Sequence, residues 1–354
     1  MTIEKTAPSP PHETSDRRVY LRLADAGAIA LALLINLALI VGLAWMLTHL
    51  QRVADQFAVW QFAPPAAVEA YADRAAFSDE GRFLFFASRP VIAADTEFND
   101  VCASQLEEVG ILGCYLPGDK RIFLFDVTDV RLDGIEEVVA AHEMLHAAWD
   151  RMTDAERTEL GVLLEAEAEK HSEDPGFAET LEFYALTEPG ERLNELHSIV
   201  GTKFDIVAPA LEAHYAQFFT NRAAVVSLHE KSNAVFQEQA AAVAALIARI
   251  DELAAAIDAD YASYNAQYGQ LNVDIDSFNS RADSGDFGSQ AEFNSERDAL
   301  LARQRTLDAF YATIDARAAE YNVLLTQLDE LNSAAAKLNE AINITPHETA
   351  DSSG

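Results

Sequence analysis

Basic residues are scarce in this chain of 354 residues. Lysine and arginine together number 25, against 58 aspartates and glutamates, so the formal net charge is −33. Nucleic-acid binding depends on clustered lysine and arginine, and the composition therefore argues against nucleic acid as a partner. It also argues against an anionic lipid surface as the main partner. The acidic excess favours solubility and identifies no substrate.

Charged residues are missing from Ala26 to Thr48, where Asn36 is the one strongly polar residue. A run of this length is close to the ~20 apolar residues that cross a bilayer, so it predicts a transmembrane helix over residues 26–48. A cleaved signal peptide is the alternative, although its apolar region is usually shorter. The stretch 1–25 is polar and contains three prolines, which is typical of a disordered tail.

The charges on either side of this apolar run predict its orientation. Four lysines and arginines precede it, whereas Arg52 is the only one close behind it. By the positive-inside rule, residues 1–25 form a cytoplasmic tail and the rest of the chain lies outside the cytoplasm. We therefore expect a single-pass cell-membrane protein with most of its chain extracytoplasmic.

Cysteine is almost absent, with only Cys102 and Cys114 present. Both belong to the part expected outside the cytoplasm, where an even pair of cysteines is most simply a disulfide. Two free buried thiols are the alternative. The pair lacks Cys-x-x-Cys spacing, which argues against a thiolate metal site.

The segment that follows the apolar run combines predicted strands and helices. Aromatic residues in Arg82–Ser88 predict a strand. Two further short runs, 113–116 and 121–126, flank Pro117-Gly118, and this arrangement predicts a β-hairpin. A helix is expected to begin near Asp133, directly after the hairpin.

That helix contains His142-Glu143-Met144-Leu145-His146, an H-E-x-x-H motif. Positions i and i+4 lie on one face of a helix, so the two imidazoles can bind one metal ion. Glu143 lies beside them and can reach a water on that ion. Uncharged residues flank the motif on both sides, which indicates a buried helix rather than a chance match on a wet surface.

The motif resembles that of the zincin metallopeptidases, in which two histidines bind zinc and the glutamate is the general base. The resemblance assigns zinc binding to His142 and His146 and catalysis to Glu143. It also implies an edge strand beside the cleft that pairs with an extended peptide. The cofactor implied is Zn²⁺, and the reaction is hydrolysis of a protein or peptide by a zinc-bound water.

A catalytic zinc usually has three protein ligands, so a third ligand is expected downstream. A helix predicted from Glu188 to Val200, ending at Gly201, carries the candidates. We choose Glu195, which resembles the third ligand of the gluzincin branch. His197 is the alternative. Residues two apart on a helix point in nearly opposite directions, so Glu195 and His197 cannot easily bind the same metal ion. Glu182, on the preceding helix, is a further alternative.

The second shell of this site does not follow a known pattern. A gluzincin pattern with aspartate four residues after the third ligand is not met, since Ile199 stands there. Tyr184, His214 and Tyr215 are candidates for the group that stabilises an oxyanion. A closer resemblance is to bacterial single-pass membrane proteins with an Ala-Ala-His-Glu-Met-Leu-His motif, and it brings no substrate with it.

Glycine and proline nearly vanish beyond residue 223, where apolar residues follow a heptad repeat over residues 243–278. A second heptad run covers residues 300–342, after an interruption that contains Gly285 and Gly288. The pattern predicts two long helices in an antiparallel coiled-coil hairpin, with an intermolecular coiled coil as the alternative. Such an arm is expected either to bind a protein partner or to self-associate.

The sequence thus predicts an α+β zincin-like metallopeptidase domain with an N-terminal transmembrane helix and a C-terminal all-α antiparallel coiled-coil hairpin. The expected units are a tail (1–25), the membrane helix (26–48), the metallopeptidase-like domain (49–208), the hairpin (209–342) and a disordered tail (343–354). The expected function is that of a membrane-anchored extracytoplasmic zinc metallopeptidase. The alternative is a non-catalytic envelope scaffold with a structural zinc site and a partner-binding coiled coil.

Overall fold

The computed structural model of the chain describes residues 1–3, 31–47, 49–102, 112–187 and 190–342. The tail expected at 343–354 and nearly all of the tail expected at 1–25 lie outside these residues. So do the first five residues and the last residue of the expected membrane helix.

The described residues form twelve α-helices, three strands and one 3₁₀ turn. The helices are α1 Leu31–Leu47, α2 Leu50–Gln61, α3 Ala66–Arg74, α4 Asp79–Ala87, α5 Asp95–Cys102, α6 Ile135–Asp150, α7 Asp154–Lys170, α8 Pro175–Thr187, α9 Arg192–Lys203, α10 Pro209–Tyr215, α11 Arg222–Ser284 and α12 Gln290–Ala341. The strands are β1 Val91–Ala93, β2 Gly113–Leu116 and β3 Arg121–Phe125, and the 3₁₀ turn is Val130–Leu132.

The prediction of an α+β zincin-like domain with a transmembrane helix is wrong for this structure. Helices account for 78% of the described residues, and the strands make only one three-stranded sheet. Among the described residues, no single helix has the length and apolar composition needed to cross a membrane. Only α1 and α2 taken together meet that requirement, and they are bent by 86° at the break between them.

The segment Arg82–Ser88, predicted as a strand, belongs to helix α4. Ser78 precedes the helix, and its hydroxyl accepts a hydrogen bond from the backbone N–H of Gly81. Two acidic residues in the first turn of α4 further favour a helix there. The aromatic residues that suggest a strand bury one face of this helix instead, with Phe85 fully buried.

The sheet has the order β1-β3-β2, so β3 is central and β2 lies at an edge. The predicted β-hairpin is present, because β2 pairs antiparallel with β3 through Cys114 opposite Phe123. Strand β1 pairs parallel with β3 on its other side. Side chains alternate across β3: Leu124 faces the main core, whereas Phe123 faces a smaller apolar cluster.

Cys102 and Cys114 form a disulfide that joins the end of α5 to the edge strand β2. Both cysteines are buried in the smaller cluster on the outer face of the sheet. The bridge closes a loop of 12 residues. Such a loop stabilises the folded chain by about 2–3 kcal/mol, mainly by restricting the unfolded chain.

The main core is built around α6, which packs against α9, α3, α4, the sheet and the start of α11. Leu211, Tyr215 and Val225 are fully buried members of this core. The core therefore extends past residue 208, where the sequence placed the end of the metallopeptidase-like unit. Helix α11 begins in this core and continues beyond it as the first helix of the hairpin.

Helices α11 and α12 lie antiparallel, joined through Gly285, which adopts a left-handed conformation (φ 73°) at the end of α11. Arg249 pairs with Glu320 and Arg303 pairs with Asp274, so the partners approach one another in sequence toward the tip. Buried seam residues from both helices meet within this one chain: Ile250, Leu253, Leu271, Leu307 and Ile314. A protein partner or self-association through the arm stays a prediction.

Candidate metal centre

Helix α6 holds the motif inside the protein. It begins after Gly134, whose positive φ of 107° suits glycine, and two glutamates occupy its first turn. Eleven of its 16 residues are buried, so the helix has almost no solvent-facing side. His142 and His146 lie one turn apart on the face that meets α9. Tertiary packing thus places both imidazoles away from bulk water.

Helix α9 supplies the third group, although its bounds differ from those predicted. It runs from Arg192 to Lys203 rather than from Glu188 to Val200, and residues 188–189 lie outside the described part. Gly201 does not end the helix. A Cβ atom at Gly201 would lie 2.5 Å from the Leu145 side chain, so this glycine permits close approach of α9 to α6.

His142, His146 and Glu195 come together as a buried group that could hold a metal ion. The Glu195 carboxylate oxygens lie 3.6 Å from His142 Nε2 and 3.4 Å from His146 Nε2. All three ligand atoms are within 4.8 Å of one another. Two ligand atoms ~2.0–2.1 Å from one tetrahedral ion lie about 3.3 Å apart, so the separations fit a shared ion.

Two polar side chains of α9 orient His146. Its Nδ1 lies 2.9 Å from Asn194 Oδ1 and 3.2 Å from Ser198 Oγ. Asn194 is itself oriented, because its amide nitrogen donates to Glu191 Oε2 at 3.1 Å. A proton on Nδ1 of His146 is therefore held by the Asn194 oxygen, which leaves the Nε2 lone pair directed at Glu195 and the metal position.

The His142 imidazole is held neutral by its surroundings. Burial lowers the pKa of His142 to about 4, against an opposing effect from the Glu195 carboxylate. A neutral imidazole offers its lone pair to a metal, so His142 needs no deprotonation to bind an ion near pH 7.

The alternative third ligands lie elsewhere. His197 is fully buried on the other side of α9, stacked on Tyr215, with its Nε2 2.9 Å from His214 Nε2. Glu182 is exposed on α8. His142, His146 and Glu195, called the metal group below, line a cavity. Of the three residues considered for oxyanion stabilisation, Tyr184 lines the same cavity. Tyr215 is fully buried and donates its hydroxyl to the His197 carbonyl.

Glu143 is only 4% exposed and lies against the edge strand β2. A Cβ atom at Gly113 would lie 2.7 Å from Glu143 Oε1 and 2.5 Å from the Val139 side chain. Glycine at this position therefore allows α6 to approach the strand closely. The result is that the Glu143 carboxylate is held next to the backbone of β2.

The metal group opens into a cavity of about 780 Å³. Edge strand β2 forms one wall, and residues of α6, α8 and α9 form the others. At one end of the cavity, Tyr115 of β2 donates to Asp150 Oδ2 at 2.7 Å. Arg151 contacts the same tyrosine hydroxyl and pairs with Asp55 of α2 through two 2.8 Å contacts. This network fixes β2 to the end of α6.

Several site residues have no signal in the sequence. Gly113, Asn194 and Ser198 acquire their roles only from the packing of α6 against β2 and α9. Lys203, at the end of α9, also lines the cavity. Comparison with protein-family models, with curated proteins and with solved structures finds no match to this chain.

Proposed function

We propose that this chain is a zinc-dependent hydrolase of protein or peptide substrates. One observation carries the proposal: His142, His146 and Glu195 converge on one point, and the Glu143 carboxylate lies in the same cavity. Two imidazoles and one carboxylate are a donor set that suits zinc and leaves a coordination position open. A structural zinc site would instead be closed by a fourth protein ligand, and the group of described residues contains three.

Zinc bound there would supply Lewis acidity, polarising a substrate carbonyl and lowering the pKa of a water to about 7. Glu143 is the general base in this proposal, because its carboxylate adjoins the metal group without belonging to it. It accepts the proton of the attacking water and then donates that proton to the leaving nitrogen. The position of Glu143 over Gly113 keeps this carboxylate beside any chain that lies along β2.

The substrate class follows from the wall of the cavity. Strand β2 pairs with β3 on one side only, among the described residues, and its backbone borders the cavity. An extended peptide can add to such an edge through main-chain hydrogen bonds. A protein or peptide chain therefore suits this cleft better than a small, compact molecule does.

The compartment is part of the same proposal. The Cys102–Cys114 disulfide is typical of an oxidising environment, which supports an extracytoplasmic location for the cleft. Thiol labelling of the unreduced, denatured protein from native cells measures this directly. Two labelled thiols per chain would contradict both the bridge and the location.

The test of function compares metal content and peptidase activity in the full-length protein. The wild type should contain about one zinc per chain after purification without chelator. Glu143→Gln should retain that metal and lose hydrolysis by about 10²–10⁴-fold, since the base is not a ligand. Glu182→Gln is the matched control, because Glu182 is exposed on α8 and outside the metal group.

Three outcomes separate the alternatives. A wild-type protein without metal contradicts the proposal entirely. Equal activity in Glu143→Gln removes this residue from the mechanism. Stoichiometric zinc with no activity on any unfolded protein or peptide favours the non-catalytic scaffold.

A further inference from the structure

Lys203 is the last residue of α9 and projects into the cavity of the metal group. It follows Glu195 by eight residues, which places the two side chains about 80° apart around the axis of α9, and both line the cavity. The Glu195 carboxylate acts electrostatically on Lys203 within the same cavity.

The ammonium group of Lys203 has no ion-pair partner among the described residues. The other cation that lines the cavity is Arg157, whose guanidinium donates to the carbonyl oxygens of Trp149 and Asp150. Arg157 is therefore already engaged within the fold. Lys203 is the lining cation that stays available for a ligand, within the part of the chain that the structure describes.

An unpaired cation inside a cavity is unfavourable unless something binds it. Lys203 is half-buried, so its ammonium group loses part of its hydration, and a charge in such a position is normally paired. The chain has 58 acidic residues, yet none of the described ones forms an ion pair with Lys203. The position beside the metal group is thus one where a bound ligand can supply an ion-pair partner for Lys203.

We propose that Lys203 binds a carboxylate group of the substrate. The lining contains one lysine and five acidic residues, Glu143, Asp150, Glu179, Glu191 and Glu195, and this balance suits a monoanion better than a doubly charged phosphate. Peptides carry carboxylates at the chain terminus and on aspartate and glutamate side chains. The inference rests on the proposed peptidase function and specifies which peptides the cleft prefers.

The test is a binding measurement that needs no turnover. Zinc-loaded, full-length protein is titrated by calorimetry with two hydroxamates of the same peptide skeleton, one ending in a carboxylate and one in the corresponding amide. The hydroxamate group anchors both compounds to the metal. The wild type should bind the carboxylate compound at least about tenfold more tightly than the amide, as expected for a hydrogen-bonded charge pair.

The variants assign this preference to one side chain. Lys203→Met keeps the apolar stem and should bring the ratio of the two dissociation constants close to one. Lys203→Arg should restore most of the preference. Lys337→Met is the matched control. It removes the same charge, but Lys337 is an exposed residue of α12 that lies outside the cavity. An unchanged ratio in Lys203→Met, or no binding of the carboxylate compound by the wild type, overturns the proposal.

The source of the carboxylate is resolved with peptides on the Glu143→Gln protein. A preference for a free chain terminus over its amide indicates terminal recognition, whereas a preference for glutamate over glutamine indicates side-chain recognition. If no peptide is ever hydrolysed by the wild type but the hydroxamate ratio depends on Lys203, the carboxylate site stands and the peptidase proposal falls. If peptides are hydrolysed without any dependence on Lys203, the peptidase proposal stands and the carboxylate site falls.

Discussion

Helix α6 and the hairpin of α11 and α12 are both helical, yet they are stabilised in different ways. Eleven of the 16 residues of α6 are buried, whereas seven of the 63 residues of α11 are. Helix α6 is surrounded by other elements on nearly every side. The first turns of α11 are buried in the main core, whereas the rest of the helix buries a single seam against α12 and exposes its other faces to solvent.

This difference decides where polar residues acquire a function. In the hairpin, charges such as Arg249 and Glu320 pair on an exposed surface, where screening by water and salt makes them weak. In α6, the polar residues His146 and Glu143 are buried, which is costly unless they are bound or hydrogen-bonded. The buried His146 and Glu143 belong to the site, whereas Glu137, a third buried polar residue of α6, is paired with Arg74 outside it.

The largest expected contrast is in stability. Leu145→Ala removes a fully buried side chain of α6 and should lower the free energy of unfolding by about 2–5 kcal/mol. Leu301→Ala, at a 45% exposed position of α12, should change it by less than about 0.5 kcal/mol. Chemical denaturation of the chelated proteins measures both values. Equal losses would show that the two regions are stabilised in the same way.

The next contrast separates two neighbouring buried residues of α9. Glu195→Ala should weaken zinc binding by at least about tenfold, because it removes a ligand rather than an orienting group. His197→Ala should lower stability but leave the metal bound, since His197 packs against Tyr215 and His214. Zinc titration with a competing chelator reports both affinities. Loss of zinc in His197→Ala alone would reverse the assignment.

A smaller effect is expected in the dependence of folding stability on pH. Burial lowers the pKa of His229 in α11 to about 4, and burial does the same to His214. The unfolded chain takes up these protons below about pH 6.5, whereas the folded chain resists them until about pH 4. Stability is thus complete above pH 6.5 and declines as pH falls toward 4.

His229→Gln tests the contribution of one histidine. The substitution should reduce the slope of melting temperature against pH between 6.5 and 4, measured without metal. The slope above pH 7 should not change. An unaltered slope below pH 6.5 would mean that His229 takes up its proton equally in the folded and unfolded chains.

The smallest effect is expected for the hairpin surface. Arg249→Ala breaks the pair with Glu320, and both side chains are about half exposed. The unfolding midpoint should not shift measurably, and added salt should not alter that result. A double-mutant cycle with Glu320→Ala gives the pair interaction. A clear coupling would indicate that the hairpin depends on its surface charges.

Sequence patterns predict best those elements that depend on contacts between residues close together in the chain. Helix α7 begins with a capping box, in which the side chains of Thr153 and Glu156 each bond to the backbone of the other. The heptads correspond to α11 and α12, although Ile247 and Tyr268 on the predicted seam are more than 40% exposed. The strand predicted at 82–88 is wrong because aromatic side chains suit both a strand and the buried face of a helix, and the cap at Ser78 and the two acidic residues after it are the signals that distinguish them.

By itself, the sequence determined that His142, Glu143 and His146 share one region of a helix, because a fixed helical repeat relates positions one turn apart. Helix geometry also allowed only one of Glu195 and His197 to face that region. Tertiary structure alone decided which one does, since α9 can be rotated either way until Gly201 packs against Leu145. It likewise decided that Asn194, Gly113 and Lys203 adjoin the metal group. Contacts between residues distant in the chain leave no period or spacing to read.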